Sequence, residues 1–232
     1  MHDEGRTSLQ LADEAMAAGD LDTSIVQLSA AVRGFTGEGD NRSAALASAR
    51  LGDLFHNVLG NKVAARSWFT RAMRLVEDEE PCVEQGWAAI AMIGCEVDDP
   101  DVLWQRATYA LERARRFGDI DLEIKALADG GLALVQAGRL VEGMEMLDES
   151  MALACAGGSN DAYALAKSVC SFYTACGYAA DFERVSSWTA TFRQRGIIDP
   201  QPGPGLFLTG HCDSVRATLL CHLGRWSEAE HL

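Results

Sequence analysis

The feature that most restricts the possible folds is an apolar pattern that recurs along the chain. It is clear in the stretch 137–154, AGRLVEGMEMLDESMALA, where Gly138 interrupts one apolar pattern. Apolar side chains then follow at helical spacing, at Leu140, Met144, Leu147 and Met151. A glycine turn followed by such a segment predicts the turn and the second helix of a helical hairpin.

Five further pairs of helical segments are separated by similar turns. In the second pair, Ala65, Phe69 and Ala72 follow one another in the order small, large, small. This order lets two helices approach while the large side chain fills the groove between them. The first packing positions of the six second helices are Ser24, Ala65, Ala107, Gly143, Val185 and Ala229. Their spacing of 36 to 44 residues predicts hairpins that bury their apolar faces by stacking on one another.

We therefore predict an all-α chain, folded over residues 1–232 as one right-handed α-solenoid of about six hairpins. The approximate hairpins are 6–36, 41–78, 82–118, 119–157, 160–198 and 205–232. The period is longer than the roughly 34 residues of tetratricopeptide repeats and closer to that of HEAT and armadillo repeats. The glycine turns nevertheless resemble those of tetratricopeptide hairpins, which is the type we expect.

Composition and charge exclude several classes of function. Only 7% of the residues are aromatic, and the abundance of Ala and Leu favours helices over sheets. A formal net charge of -14 argues against nucleic-acid binding by this chain itself, because phosphate contacts need clustered Lys and Arg. The acidic N-terminus leads into no signal-peptide core, and the longest apolar run, 87–93, is too short to span a bilayer. We expect a cytoplasmic protein with no membrane partner.

No motif predicts catalysis, so we expect no enzymatic activity, no cofactor and no metal. The strongest metal candidates are two pairs on one predicted helix, His211-Cys212 and Cys221-His222. Even Cys212 and Cys221 lie about 13 Å apart along the helix axis, too far to share one zinc ion. A zinc site that combines one pair with Cys170 or Cys176 remains open. We favour reduced cysteines that fill gaps in the helical packing.

A solenoid binds its partners mainly along the concave surface that its first helices form. Exposed aromatic side chains on that surface would mark the anchors of an interface. Trp87 and Tyr163 are the candidate anchors, and Arg216 is a candidate contact for an anionic group. The alternative for both aromatic residues is a place in the core of the stack.

Several residues go beyond what a generic helical repeat demands. They are Gly60-Asn61 with Trp68 and Arg71-Ala72, Gly86-Trp87, Phe117-Gly118-Asp119, the segment Gly143 to Met151 with Leu147-Asp148-Glu149, Cys170, Cys176, Trp188-Thr189, Cys212, Arg216-Ala217 and Leu223-Gly224-Arg225-Trp226. On these residues the whole chain resembles the helical region that precedes the LuxR-type helix-turn-helix in large actinobacterial transcriptional regulators.

The chain departs from that family at three points. It has Val215-Arg216-Ala217 where the family typically has His-Arg-Ala, and the usual Trp-Cys pair after the Trp188 helix is missing around Phe192 and Arg193. It also contains no helix-turn-helix. The sixth hairpin stops at Leu232 after about two turns of its second helix, so we expect the natural polypeptide to continue.

The resemblance implies a non-catalytic module that receives a signal or binds a protein and thereby regulates an attached DNA-binding domain. Its partner would be a protein, a peptide or a small-molecule effector, and DNA would be contacted only through a domain outside this chain. Two alternatives remain open: a free-standing tetratricopeptide adaptor for a peptide or protein, and a solenoid that binds a small apolar effector. A positively charged segment of about 60 residues after Leu232, with a recognition helix, would favour the regulator.

Overall fold

The structure is a computed structural model of an all-helical protein, which confirms the predicted all-α class. It describes residues 4–95, 99–157, 159, 161–197 and 207–231, and for residues 17, 94, 95, 162 and 207–212 it describes the backbone only. The described residues form twelve α-helices and no strand. The helices pair with their neighbours along the chain, as hairpins require.

The chain divides into two compact units, Met1–Val97 and Asp98–Leu232. The first contains α1 (Glu4–Ala17), α2 (Leu21–Glu38), α3 (Asn41–Asp53), α4 (Lys62–Val76) and α5 (Val83–Ala91). The second contains α6 (Pro100–Phe117), α7 (Ile120–Gln136), α8 (Leu140–Cys155), α9 (Ala162–Ala179), α10 (Phe182–Gln194), α11 (Phe207–His222) and α12 (Trp226–Ala229). The predicted hairpin 82–118 is thus divided between the units, and one continuous solenoid stays a prediction.

In the N-terminal unit, α1 pairs with α2 and α3 pairs with α4. The predicted order small, large, small is confirmed in α4, where Ala65, Phe69 and Ala72 are all buried. A Cβ atom at Gly52 would lie only 2.4 Å from Cε1 of Phe69. The Phe69 ring therefore lies directly on the backbone of α3, and a larger residue at position 52 would displace the ring.

In the C-terminal unit, α7 is the central helix and packs against α6, α8 and α9. A Cβ atom at Gly143 would lie 2.6 Å from the carbonyl oxygen of Gly131, and one at Gly131 would lie 2.7 Å from that of Gly143. Glycine at these two positions lets α7 and α8 touch backbone to backbone. The predicted packing residues Gly143, Leu147 and Ser150 are all buried in this contact region.

Caps and turns explain where the helices begin and end. Helix α6 ends at Gly118, whose φ of 70° is the left-handed conformation that glycine adopts without strain. Asp119 then begins α7, because its carboxylate accepts a hydrogen bond from the Leu122 amide at 2.9 Å. The same left-handed conformation follows α9 at Ala180, with a φ of 52°, where a side chain makes it costly.

Two irregular turns follow regular helices in the N-terminal unit. A π-helical turn, Leu54–Val58, continues α3, and a 3-10 turn, Met92–Cys95, continues α5. In the first, the Leu59 amide donates to the carbonyl oxygen of Leu54 at 3.1 Å, which widens the last turn before Gly60. Neither irregularity was predicted, because the two turns span only 5 and 4 residues, too few for their apolar spacing to be distinguished from that of an α-helix.

Candidate functional site

An open groove lies between α8 and α10 on the C-terminal unit, with a volume of about 630 Å³. From α8 it is lined by Asp148 and Glu149. From α10 and the residue before it, the main lining residues are Asp181, Glu183, Arg184 and Trp188. We call this surface the α8–α10 groove.

Asp148 joins the two walls of the groove. Its Oδ1 accepts a hydrogen bond from Trp188 Nε1 at 2.8 Å, and its Oδ2 accepts one from Arg184 Nη1 at 2.8 Å. The same Nη1 donates to the Met144 carbonyl oxygen at 3.1 Å, and Arg184 Nε donates to Asp181 Oδ2 at 2.9 Å. The Asp148 carboxylate therefore holds Arg184 and Trp188 in place in the absence of a bound partner protein.

Negative charge dominates this surface, because four carboxylates and a single guanidinium line it. Glu149 pairs with Arg115 at 2.8 Å, with both side chains 51% exposed, so water weakens this pair. Glu183 forms no ion pair with the residues that the structure describes. Glu145 is also exposed and lies one helical turn before Glu149. Of the four lining carboxylates, Glu183 is therefore the one that can pair with an added cation without losing an ion pair, and Glu149 has only its exposed pair with Arg115 to lose.

Trp188 gives the groove a rigid aromatic wall. Its ring stacks on Phe192, with a centroid distance of 5.8 Å, and meets Phe172 edge-on at 6.5 Å. Trp188 lies three residues after the packing position Val185, as Trp68 lies three residues after Ala65. This shared spacing is the signal in the sequence that could have marked both side chains as candidates beyond their part in the family resemblance.

The three predicted binding residues are distributed over both units. Trp87 lies half-buried on α5 of the N-terminal unit, whereas Tyr163 and Arg216 lie on α9 and α11 of the other. Lys167 Nζ lies 6.0 Å from the ring centroid of the half-buried Tyr163. Arg216 is buried, and its Nη1 donates to Asp213 Oδ1 at 3.1 Å. None of the three lines the α8–α10 groove, and their role in binding stays a prediction.

A buried polar network connects α7 to α9. Lys125 Nζ lies 2.5 Å from Asp129 Oδ2, and Ser171 Oγ donates to Asp129 Oδ1 at 2.8 Å. Lys125 and Asp129 are both buried. Each charge is matched within the helical packing, so we assign this network to stability and not to chemistry.

The prediction that the cysteines are reduced is wrong for Cys170. Cys170 is disulfide-bonded, so it cannot supply a thiolate to the zinc site that was left open. The spacing of cysteines along the chain does not show which of them the fold brings within bonding distance. Cys82, Cys155, Cys176 and Cys221 are free. Burial raises the pKa of Cys176 to about 12, so its thiol stays protonated and unreactive at neutral pH.

No group of three or more metal-ligating side chains lies among the residues that the structure describes. The side chains of the candidate pair His211-Cys212 lie outside those residues. None of the described helices is both long and apolar enough to cross a lipid bilayer. Neither a scan of protein-family models nor a search of the curated proteins finds a match to this chain.

Proposed function

We propose that this chain is a non-catalytic interaction domain that holds a positively charged segment of a protein partner in the α8–α10 groove. In this proposal the binding regulates an attached DNA-binding domain of the LuxR type. The proposal rests on the groove itself, in which carboxylates lie beside Trp188, whose indole is hydrogen-bonded to Asp148.

The arrangement suits a Lys or Arg side chain better than a neutral one. Glu183 can accept a cation without losing an existing ion pair, and Glu149 can exchange its solvent-exposed pair with Arg115. Trp188 offers aromatic surface to the aliphatic part of such a side chain. Because Asp148 already fixes Trp188 and Arg184, little side-chain entropy is lost when the partner binds.

The regulatory part of the proposal rests on the resemblance described above. The net charge of -14 is consistent with a chain that leaves DNA contact to another domain. In a polypeptide that joins this chain to such a DNA-binding domain, deletion of the chain is expected to change the affinity for DNA. An unchanged affinity would argue for an adaptor that has no part in DNA recognition.

Partner binding can be tested with short fluorescent peptides made of Lys and Leu, and with matched peptides that carry Gln in place of Lys. The chain is expected to bind the cationic peptide more tightly, and added salt should weaken the binding. Glu183→Lys should weaken it by about three- to tenfold, since each exposed ion pair contributes up to about 1 kcal/mol and the reversal adds repulsion.

Glu112→Lys is the matched control, because Glu112 is an exposed acid of α6 that does not line the groove. It makes the same change in net charge and should alter the affinity by less than about twofold. Equal losses in the two variants would show that only the net charge of the chain attracts the peptide. No preference for the cationic peptide would refute the proposed groove.

A further inference from the structure

Helix α4 carries a concentration of positive charge that is unusual for this acidic chain. Its fifteen residues include Lys62, Arg66, Arg71 and Arg74 and no acidic residue. The whole chain has only 20 Lys and Arg against 34 Asp and Glu. A random placement of charges would give a net negative helix, so this helix is a local exception that calls for a physical role.

One side of α4 forms an open groove of about 460 Å³, lined by Ser67, Trp68, Arg71, Arg74 and Leu75. The Arg71 guanidinium carbon lies 6.0 Å from the ring centroid of Trp68. Trp68 and Leu75 pack with their inner parts against apolar residues of α2 and α3. The surface therefore combines fixed apolar side chains with two arginines, and we call it the α4 surface.

Arg71 and Arg74 form no ion pair with the described residues, although carboxylates are abundant. Two other arginines of the same unit are paired: Arg42 contacts Glu79 at 3.2 Å, and Arg50 contacts Asp13 at 2.9 Å. An acidic run, residues 77–80, follows α4, but it supplies no partner to either guanidinium. Neither guanidinium donates a hydrogen bond to a residue that the structure describes, so its donors are available to a partner.

We propose that the α4 surface binds an acidic segment of a partner protein, with carboxylates on Arg71 and Arg74 and an apolar side chain against Trp68 and Leu75. Guanidinium groups pair with carboxylates in two parallel hydrogen bonds, and aromatic and Arg side chains are the residues that most often anchor interfaces. Nucleic acid fits less well, because the net charge of -14 repels a polyanion while two guanidinium groups neutralise few of its phosphates.

The inference does not depend on the α8–α10 groove. The two surfaces belong to different units and carry opposite charge, so a probe for one is not a probe for the other. The acidic peptide tests the α4 surface, and the Lys-containing peptide tests the proposed function. Either can fail while the other succeeds.

The test uses short fluorescent peptides of Glu and Leu, with matched peptides that carry Gln for Glu, and measures their binding to the whole chain by fluorescence anisotropy. Arg71→Glu and Arg74→Glu are each expected to weaken binding of the acidic peptide about tenfold, because each removes a charge-assisted pair and adds repulsion. Arg66→Glu is the control on the same helix, since Arg66 is exposed but does not line the surface. It should weaken binding less than about twofold.

Three results would overturn the proposal. The first is no preference of the wild-type chain for the acidic peptide over the Gln peptide. The second is equal losses in Arg66→Glu and Arg71→Glu, which would assign the attraction to the whole helix and not to this surface. The third is a different occupant: a short DNA duplex that binds more tightly than the peptide at the same salt, or self-association in sedimentation that Arg71→Glu abolishes. Circular dichroism of each variant verifies that it is folded.

Discussion

Substitution of Gly143 by Ala tests the backbone contact between α7 and α8. In an isolated helix this change would stabilise by about 1 kcal/mol, because glycine is a poor helix former. Here the new Cβ would lie 2.6 Å from the Gly131 carbonyl oxygen and 2.9 Å from the Val135 amide nitrogen. A carbon normally stays about 3.3 Å or more from such an oxygen, so the two helices must separate by about 0.7 Å.

The energetic cost of that separation decides whether Gly143→Ala raises or lowers the free energy of unfolding. The third close neighbour is Val135 Cγ2 at 2.8 Å, but the other two are backbone atoms, so no rotamer change relieves their contacts. Overpacking of this kind costs about 1–3 kcal/mol, and the loss of contacts around the buried Leu147 adds to it. The gain in helix propensity offsets about 1 kcal/mol, which leaves about 0–2 kcal/mol from overpacking alone. With the lost contacts around Leu147 added, we expect Gly143→Ala to lower the free energy of unfolding by about 1–2 kcal/mol.

Gly177→Ala is the matched control, because it makes the same chemical change within α9. Its nearest neighbour would be Leu219 Cδ2 at 3.7 Å, an ordinary contact, so this variant should gain about 0.5 kcal/mol. Urea unfolding followed by circular dichroism measures both changes. A Gly143→Ala protein as stable as the wild type, or more stable, would refute the backbone-to-backbone packing of α7 and α8.

Three further predictions concern stability. Lys125→Met should lower the free energy of unfolding by about 3–5 kcal/mol, because it leaves the buried Asp129 without its cationic partner. The double variant Lys125→Met with Asp129→Leu should recover most of that loss. Equal losses of the two variants in urea unfolding would contradict the pairing. Ala180→Gly should stabilise by about 1 kcal/mol, because φ at this position is 52°, and no rise in the melting temperature would count against the left-handed turn. In the folded protein the pKa of Cys176 is raised to about 12, so its thiol keeps a proton that the unfolded chain loses above about pH 9. The free energy of unfolding should therefore fall as the pH rises beyond about 9. At about pH 10 this group accounts for about 1.4 kcal/mol, and Cys176→Ala should show a smaller fall between about pH 8 and pH 10 than the wild type.

Much of the local structure follows from patterns that the sequence displays. The fourth hairpin, predicted at 119–157, is observed as α7 and α8 over 120–155 with its turn at Gly138. Glycines that interrupt an apolar pattern and apolar residues at helical spacing are local signals, so they locate turns and buried faces well. The burial of Gly143, Leu147 and Ser150 was predicted for the same reason.

The contacts that form the groove could not be predicted in the same way. Asp148 and Trp188 are 40 residues apart, and their hydrogen bond depends on how α8 and α10 are rotated about their axes. An apolar pattern fixes the buried face of each helix but not the partner of a polar side chain at its edge. The disulfide of Cys170 and the buried partner of Lys125 are of the same kind, because both depend on tertiary proximity.

Hydrogen–deuterium exchange with and without the Lys-containing peptide locates the bound peptide on the chain and so tests whether it binds in the α8–α10 groove. We expect slower exchange of backbone amides in the stretches 145–152 and 181–188, which form the walls of the α8–α10 groove. Exchange in α4 should stay unchanged with this peptide. Slower exchange confined to other helices, or no change at a saturating peptide concentration, would contradict the claim that this groove binds the partner.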